Sequence, residues 1–369
     1  MPASKIITAS KIFTGKKWLQ EHAIVTENKI VKDIVTLSSL GTGITVESFN
    51  NCMLVPSFID LQLYGAYEKL LAVYPDSESL QKIKEYGING GAAYSCPTVA
   101  TNRTEIFHQC IDAIRQYWKE GGTGILGLHL EGPWINIEKR GAHAIEFIHS
   151  PSVEEARKLL DYGRDVIKII TLAPEVCSKE VIDLILSHNV IISAGHSNAT
   201  YDQAMDGFKN GITCVTHLYN AMSPLQHRAP GLVGAVLDHG KVMTSIIPDG
   251  YHVDYAAIRI AKEVMKQCLF AITDTVAETK EGLYLHQLEG DKYVSKGILS
   301  GSSLNMVKAL QNLVDHVGIN LDEALRMCSY YPAKAIKLEK KIGLIKKGFK
   351  ACFTILDENL AVKKVITDY

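Results

Sequence analysis

The chain has 369 residues, 47% of them apolar and 21% charged, with a formal net charge of −1. That mixture suits a large buried core, and the near-neutral balance without long basic runs argues against nucleic acid or an anionic membrane as partner. No window is apolar enough for a signal peptide or a membrane span. The eight cysteines are scattered without a C-x-x-C pair, which suits reduced thiols, so a cytoplasmic protein is expected.

In chain order, the N-terminal runs "KIITASKIFT", "GKKWLQEHAIVTENKIVKDIV" and "GITVESFNNCMLVP" read as short strands separated by turns. The C-terminal "IGLIKKGFKACFTILDENLAVKKVITDY" has the same character. The expectation is one small β-sandwich-like domain built from residues 1–53 and 343–369, flanking a middle unit of residues 54–342. That middle reads differently. Apolar, β-branched runs recur at "MLVPSFIDLQLYG", "GGAAYSCPT", "GILGLHLEGPW", "VIKIITLAPE", "NVIISAGHS", "ITCVTHLYNAM", "VMTSIIPDG" and "CLFAITDTV". Helix-like stretches such as "SLQKIKEYGI" and "SVEEARKLLDYG" separate them, and Ser152 with Glu155 predicts a capping-box start for the second. Alternation of this kind predicts an α/β fold, a closed (β/α)8 barrel of the TIM type, with a doubly wound open sheet as the alternative.

Most of these runs end in polar residues: Gln62, Glu131, Glu175, His196, His217, Asp249 and Asp274. In a barrel such strand ends form the active-site face. Taken singly, Glu131, His196, His217 and Asp274 read as ordinary caps or satisfied core groups. As two histidines and two carboxylates on four converging strands, they read as a site. Two imidazoles, a carboxylate and an open position make the ligand set of a catalytic zinc. A further carboxylate beside activated water can take its proton and later deliver it to a leaving amine. The strand "VPSFIDLQLYG" brings Gln62 and Tyr64 to the pocket face, where two-metal hydrolases place His-x-His.

The segments "LHLEGPW", "AGHSNATY", "THLYNAMSPLQHRAPGLVGA", "PDGYHVD" and "TDTV", in this order, resemble the motifs of the N-acetylglucosamine-6-phosphate deacetylases, within the amidohydrolase superfamily. The resemblance runs from about Val55 through "LSGSSLNMVKAL" and "YPAKAIKLEKKIGLIKKGFKACFTILD". It implies a barrel with a small β domain from both termini. It implies Glu131, His196 and His217 as ligands of one divalent metal per subunit, expected to be zinc, and Asp274 as the catalytic acid/base. His143, in "RGAHA", matches a histidine that polarises the acetyl carbonyl. Asn220, Ala221, Arg228 and His252 match substrate contacts, the last two near the phosphate. Ala142, Leu299, Ser300 and Gly301 fall where further sugar contacts are expected. Gln62 and Tyr64 then mark a vacated second-metal site, although Tyr64 and the following "GAYEKLLAVYP" depart from the pattern.

The implied activity is hydrolysis of the acetamide of N-acetyl-D-glucosamine 6-phosphate. Its rivals are deacetylation of another N-acyl sugar phosphate, such as the galactosamine epimer, and a non-catalytic sugar-phosphate-binding barrel. A dihydroorotase-like ring opening is disfavoured, because it would want the missing His-x-His. The implied assembly is a homodimer with the phosphate site completed across the interface.

Overall fold

A computed structural model describes residues 5–367, so the outermost ends of the expected terminal domain, residues 1–4 and 368–369, lie outside the described residues. Eight parallel strands form the central sheet: Phe58–Leu63, Ala92–Ala100, Leu128–Glu131, Ile167–Leu172, Ile191–Ala194, Cys214–Val215, Met243–Ile246 and Leu269–Ala271. Each corresponds to one of the apolar runs above. The strands pair in sequence order, and the ring closes where Tyr64 N donates to Thr275 O at 2.8 Å and Asp274 N donates to Gln62 O at 2.9 Å. That seam excludes the open sheet.

Most helices between strands are amphipathic, turning a buried stripe to the barrel, whereas Gly231–His239 is buried continuously from Gly231 to Val236. Ser77–Asn89 buries Leu80 and Ile83, and Val153–Tyr162 buries Ala156, Leu159 and Leu160. Only half of the expected capping box forms on the second. Ser152 accepts from Glu155 N at 3.1 Å, but the Glu155 carboxylate instead takes Trp134 Nε1 at 3.1 Å and His149 Nε2 at 2.7 Å.

A separate seven-stranded sheet gathers both ends of the chain, including Lys5–Phe13, His22–Glu27, Glu47–Pro56, Phe353–Asp357 and Val362–Ile366. It has its own small core of Ile7, Ile12, Ile24, Leu54, Phe353 and Ile355. Phe13, Val55, Leu356 and Leu360 belong instead to the barrel core, so one side of the sheet packs on the barrel. Two small elements lie over the C-terminal ends of the strands: a hairpin, Gly65–Ala66 with Lys69–Leu70, and a three-stranded sheet, Gln287–Glu289, Lys292–Ser295 and Ile298–Ser302. Among the described residues no helix is long and apolar enough to cross a membrane.

Candidate active site

Glu131 is the last residue of its strand, while His196, His217 and Asp274 each lie just beyond theirs. These three have positive φ, at 47°, 38° and 55°. A left-handed backbone in such residues costs on the order of 1–3 kcal/mol and recurs at functional sites. Neighbouring segments hold it in place. His217 N donates to Ser245 Oγ at 2.8 Å, and His196 Nδ1 donates to Lys139 O at 2.9 Å, which leaves His196 Nε2 with a lone pair facing the pocket. Glu175 accepts from Ser197 Oγ at 2.7 Å, Asn198 N at 2.6 Å and Asn136 Nδ2 at 2.9 Å, so it braces the loop after His196.

His217 Nε2 lies 3.1 Å from Glu131 Oε1 and 3.1 Å from His196 Nε2, and His196 Nε2 lies 3.3 Å from Glu131 Oε1. Ligands about 2.05 Å from a tetrahedral ion stand about 3.3 Å apart. The triangle therefore has the size and donor chemistry of a metal site. His143 completes a wider cluster with Glu131 and His196, but its own hydrogen bonds set it apart. Its Nδ1 accepts from Thr101 N at 3.4 Å and lies 2.7 Å from Thr101 Oγ1, so its proton is on Nε2, 3.2 Å from Glu131 Oε2. A protonated nitrogen is a donor, not a ligand.

Gln62 sits between the carboxylates, its Nε2 at 2.7 Å from Asp274 Oδ1, 2.8 Å from Glu131 Oε1 and 2.9 Å from Tyr64 Oη. The Tyr64 hydroxyl donates to Glu131 Oε2. Burial would raise Glu131, yet the imidazoles of His196, His143 and His217 outweigh it and hold the carboxyl well below the usual range. Burial, helped by the charge of Glu131, pushes Asp274 up even though His217 opposes it. Burial and the neighbouring His196 push His143 down to about 4, so it is neutral at pH 7.

Glu131, His143, His196, His217 and Asp274 line a cavity of about 160 Å³ together with Tyr64, Ala142, Asn220, Ala221, His252, Leu299 and Ser300, all anticipated from the sequence, whereas Gln62, expected on the pocket face, is not part of the lining. His252 Nδ1 donates to Asp249 Oδ2 at 2.6 Å, which orients the ring. Ile247 also lines the cavity and was not anticipated; an apolar residue inside a strand-end run carries no signal of its own. Gly301 stands behind Ser300 and is not part of the lining. Arg228 is exposed on the loop after Met222 and lines a different cavity of about 530 Å³, beside Thr200 and Tyr201.

The model of the amidohydrolase family matches residues 53–368, and that of the NagA composite domain matches residues 6–50. The N-acetylglucosamine-6-phosphate deacetylase of Haemophilus influenzae is 34% identical over 95% of this chain and 94% of its own length. The N-acetylgalactosamine-6-phosphate deacetylase of Escherichia coli O157:H7 is 28% identical over 98% and 97%. The crystal structure of N-acetylglucosamine-6-phosphate deacetylase from Pasteurella multocida superposes with a TM-score of 0.94 at 34% identity, covering 99% of this chain and 98% of that one. With its barrel, its converging strand-end groups and this likeness along nearly its whole length, the chain belongs to the amidohydrolase family, a family of metal-dependent hydrolases.

Proposed function

We propose that this chain hydrolyses the acetamide of N-acetyl-D-glucosamine 6-phosphate to D-glucosamine 6-phosphate and acetate, as a step in amino-sugar catabolism. The observation that carries this reading is the convergence of Glu131, His196 and His217 with the separate carboxylate of Asp274 in one pocket. A sugar-phosphate sensor has no use for that set, and the 34% identical relatives carry the deacetylase name for the glucosamine epimer.

In this reading Glu131, His196 and His217 hold one divalent ion per subunit, zinc by its taste for mixed imidazole and carboxylate donors. When bound, the ion supplies the Lewis acidity that activates water at neutral pH. Gln62 turns N–H groups toward Glu131 and Asp274, where a second cation would need lone pairs. Asp274 takes the proton of the attacking water and hands it to the amine as the C–N bond breaks. Neutral His143 offers Nε2–H to the acyl oxygen, where negative charge develops. Asn220, Ala221 and His252 receive the sugar and phosphate, with Ala142, Leu299, Ser300 and Gly301 around the ring.

Arg228 is exposed and away from its own chain's cavity. That suits a homodimer in which it reaches the phosphate in the neighbouring subunit's site, as guanidinium groups do well. We further propose residues 1–53 with 343–369 as the small domain around a barrel of residues 54–342, and a cytoplasmic enzyme, in keeping with eight cysteines scattered without a C-x-x-C pair.

The test is amine release from the 6-phosphates of N-acetylglucosamine and N-acetylgalactosamine, with and without prior metal chelation. Metal-dependent release that favours the glucosamine epimer is expected. Preference for the galactosamine epimer would move the substrate assignment to that sugar, and no release from either would overturn the reading.

A further inference from the structure

Beside the catalytic cavity, and sharing Tyr64, Ala142, His143 and Ser300 with it, lies a second chamber of about 50 Å³. Its farther wall includes Leu70, Ala72, Val276 and the ring of Tyr284. Leu70 and Val276 form, with Ala277, a small apolar cluster apart from the barrel core, built where the short hairpin meets the segment after the last barrel strand. The polar groups at the edge are committed elsewhere. The Tyr284 hydroxyl donates to Thr101 O at 2.6 Å, His286 Nδ1 lies 2.8 Å from Ser300 Oγ, and the Tyr64 hydroxyl donates to Glu131. What the chamber offers a ligand is therefore apolar surface. Its volume exceeds the roughly 10–15 Å³ that a single water needs.

The bound amide decides what reaches this chamber. A secondary amide is planar and trans, the cis form costing about 2.5 kcal/mol, so its acyl chain points away from the sugar that carries the nitrogen. In the functional reading above, on which this inference rests, the sugar faces Asn220, Ala221 and His252, and the acyl oxygen meets His143 Nε2. The acyl carbon chain then runs past His143, away from Asn220, Ala221 and His252 and toward the chamber, whose shared edge of Ala142 and Ser300 borders the sugar ring. We propose that the chamber is an acyl-chain pocket, that the enzyme takes N-propionyl and N-butyryl glucosamine 6-phosphate as well as the acetamide, and that Ala72 and Val276 set the length it accepts. The chemistry is the same for each: water oxygen bonds to the acyl carbon, the C–N bond breaks, the amine leaves with the proton, and the carboxylate is released.

The experiment measures kcat/KM for the acetyl, propionyl and butyryl substrates with the metal-loaded enzyme and with Ala72→Phe and Val276→Ala. Wild type is expected to turn over the longer amides within about tenfold of the acetamide. Ala72→Phe should lose on the order of 10- to 200-fold on butyryl, the usual worth of a lost fit for one methylene, while keeping acetyl within about threefold. Val276→Ala should move the preference toward butyryl. A wild-type enzyme that hydrolyses acetyl but rejects propionyl and butyryl by 100-fold or more overturns the proposal, whatever the variants do. So does an Ala72→Phe enzyme that loses all three alike. Release from none of the three overturns the functional reading itself, and this inference with it.

Discussion

Gln62 on the first barrel strand donates to the Asp274 carboxylate beyond the last, at 2.7 Å. The same nitrogen lies 2.8 Å from Glu131 Oε1, so one neutral amide separates two buried carboxyl groups. Gln62→Leu removes those donors and leaves the carboxylates facing each other. A hydrogen bond to a charged group contributes about 1.5–3 kcal/mol, so kcat should fall roughly 10- to 150-fold. The paired substitution Gln62→His with Tyr64→His supplies imidazoles where the wild type has an N–H and a phenol. Elemental analysis after dialysis should find one metal ion per wild-type chain and two in the double variant. Two ions in active wild type would refute the single-metal reading.

Asp274→Asn keeps the shape and the Gln62 contact but cannot accept a proton. Turnover should drop on the order of 10²–10⁴, the usual worth of a general acid/base, with metal content and thermal unfolding near wild type. Near-normal turnover in a metal-loaded variant would remove Asp274 from the proton transfer.

Arg228→Ala should raise KM for the phosphorylated sugar by the equivalent of about 1.5–3 kcal/mol and leave activity on unphosphorylated N-acetylglucosamine almost unchanged. Mixing Arg228→Ala with Asp274→Asn, after dissociation and reassembly, tests whether the arginine acts across subunits. A mixed dimer then contains one site with an intact Asp274 and an intact Arg228 from its neighbour. Recovery of activity above the sum of the two variants is expected; an Arg228 that serves its own chain gives none.

Asp60 provides a prediction about pH and stability. Burial pushes its carboxyl up to about 7, against hydrogen bonds from Thr273 and Gln62 and with some help from Asp274. An unfolded Asp titrates near 3.9. Between those values the folded chain keeps a proton that the unfolded chain has lost, so this contribution is complete below about pH 4 and is lost as pH rises to about 7. Asp60→Asn should flatten the fall in unfolding free energy across that window, measured by urea titration at several pH values. An unchanged slope would show that the group ionises freely in the folded state.

Much of this molecule was legible because barrel strands announce themselves: runs such as "GILGLHLEGPW" are apolar until the residue that reaches the active-site face. The elements that cover that face were not. Gln287–Glu289 is exposed throughout and shows no alternation, so nothing marked it as a strand. Tyr284 joins the wall of the second chamber through a bond to Thr101, 183 residues away, a contact that no local pattern encodes. The turns that aim His196, His217 and Asp274 also left no trace, since a left-handed backbone is usually signalled by glycine or asparagine and here falls on the candidate site residues themselves. Arg228 was legible as a residue type but not as a location, because the fold turns its loop outward.

The seam between the first and last barrel strands has a consequence for how activity is acquired. Gln62 and Asp274 are 212 residues apart, and backbone and side-chain bonds between them both belong to the closure of the ring. Glu131, His196 and His217 stand on or just beyond inner strands of the sheet, whereas Asp274 is fixed by the seam itself. In the function proposed above, a substitution that opens this seam alone would therefore separate metal binding from turnover.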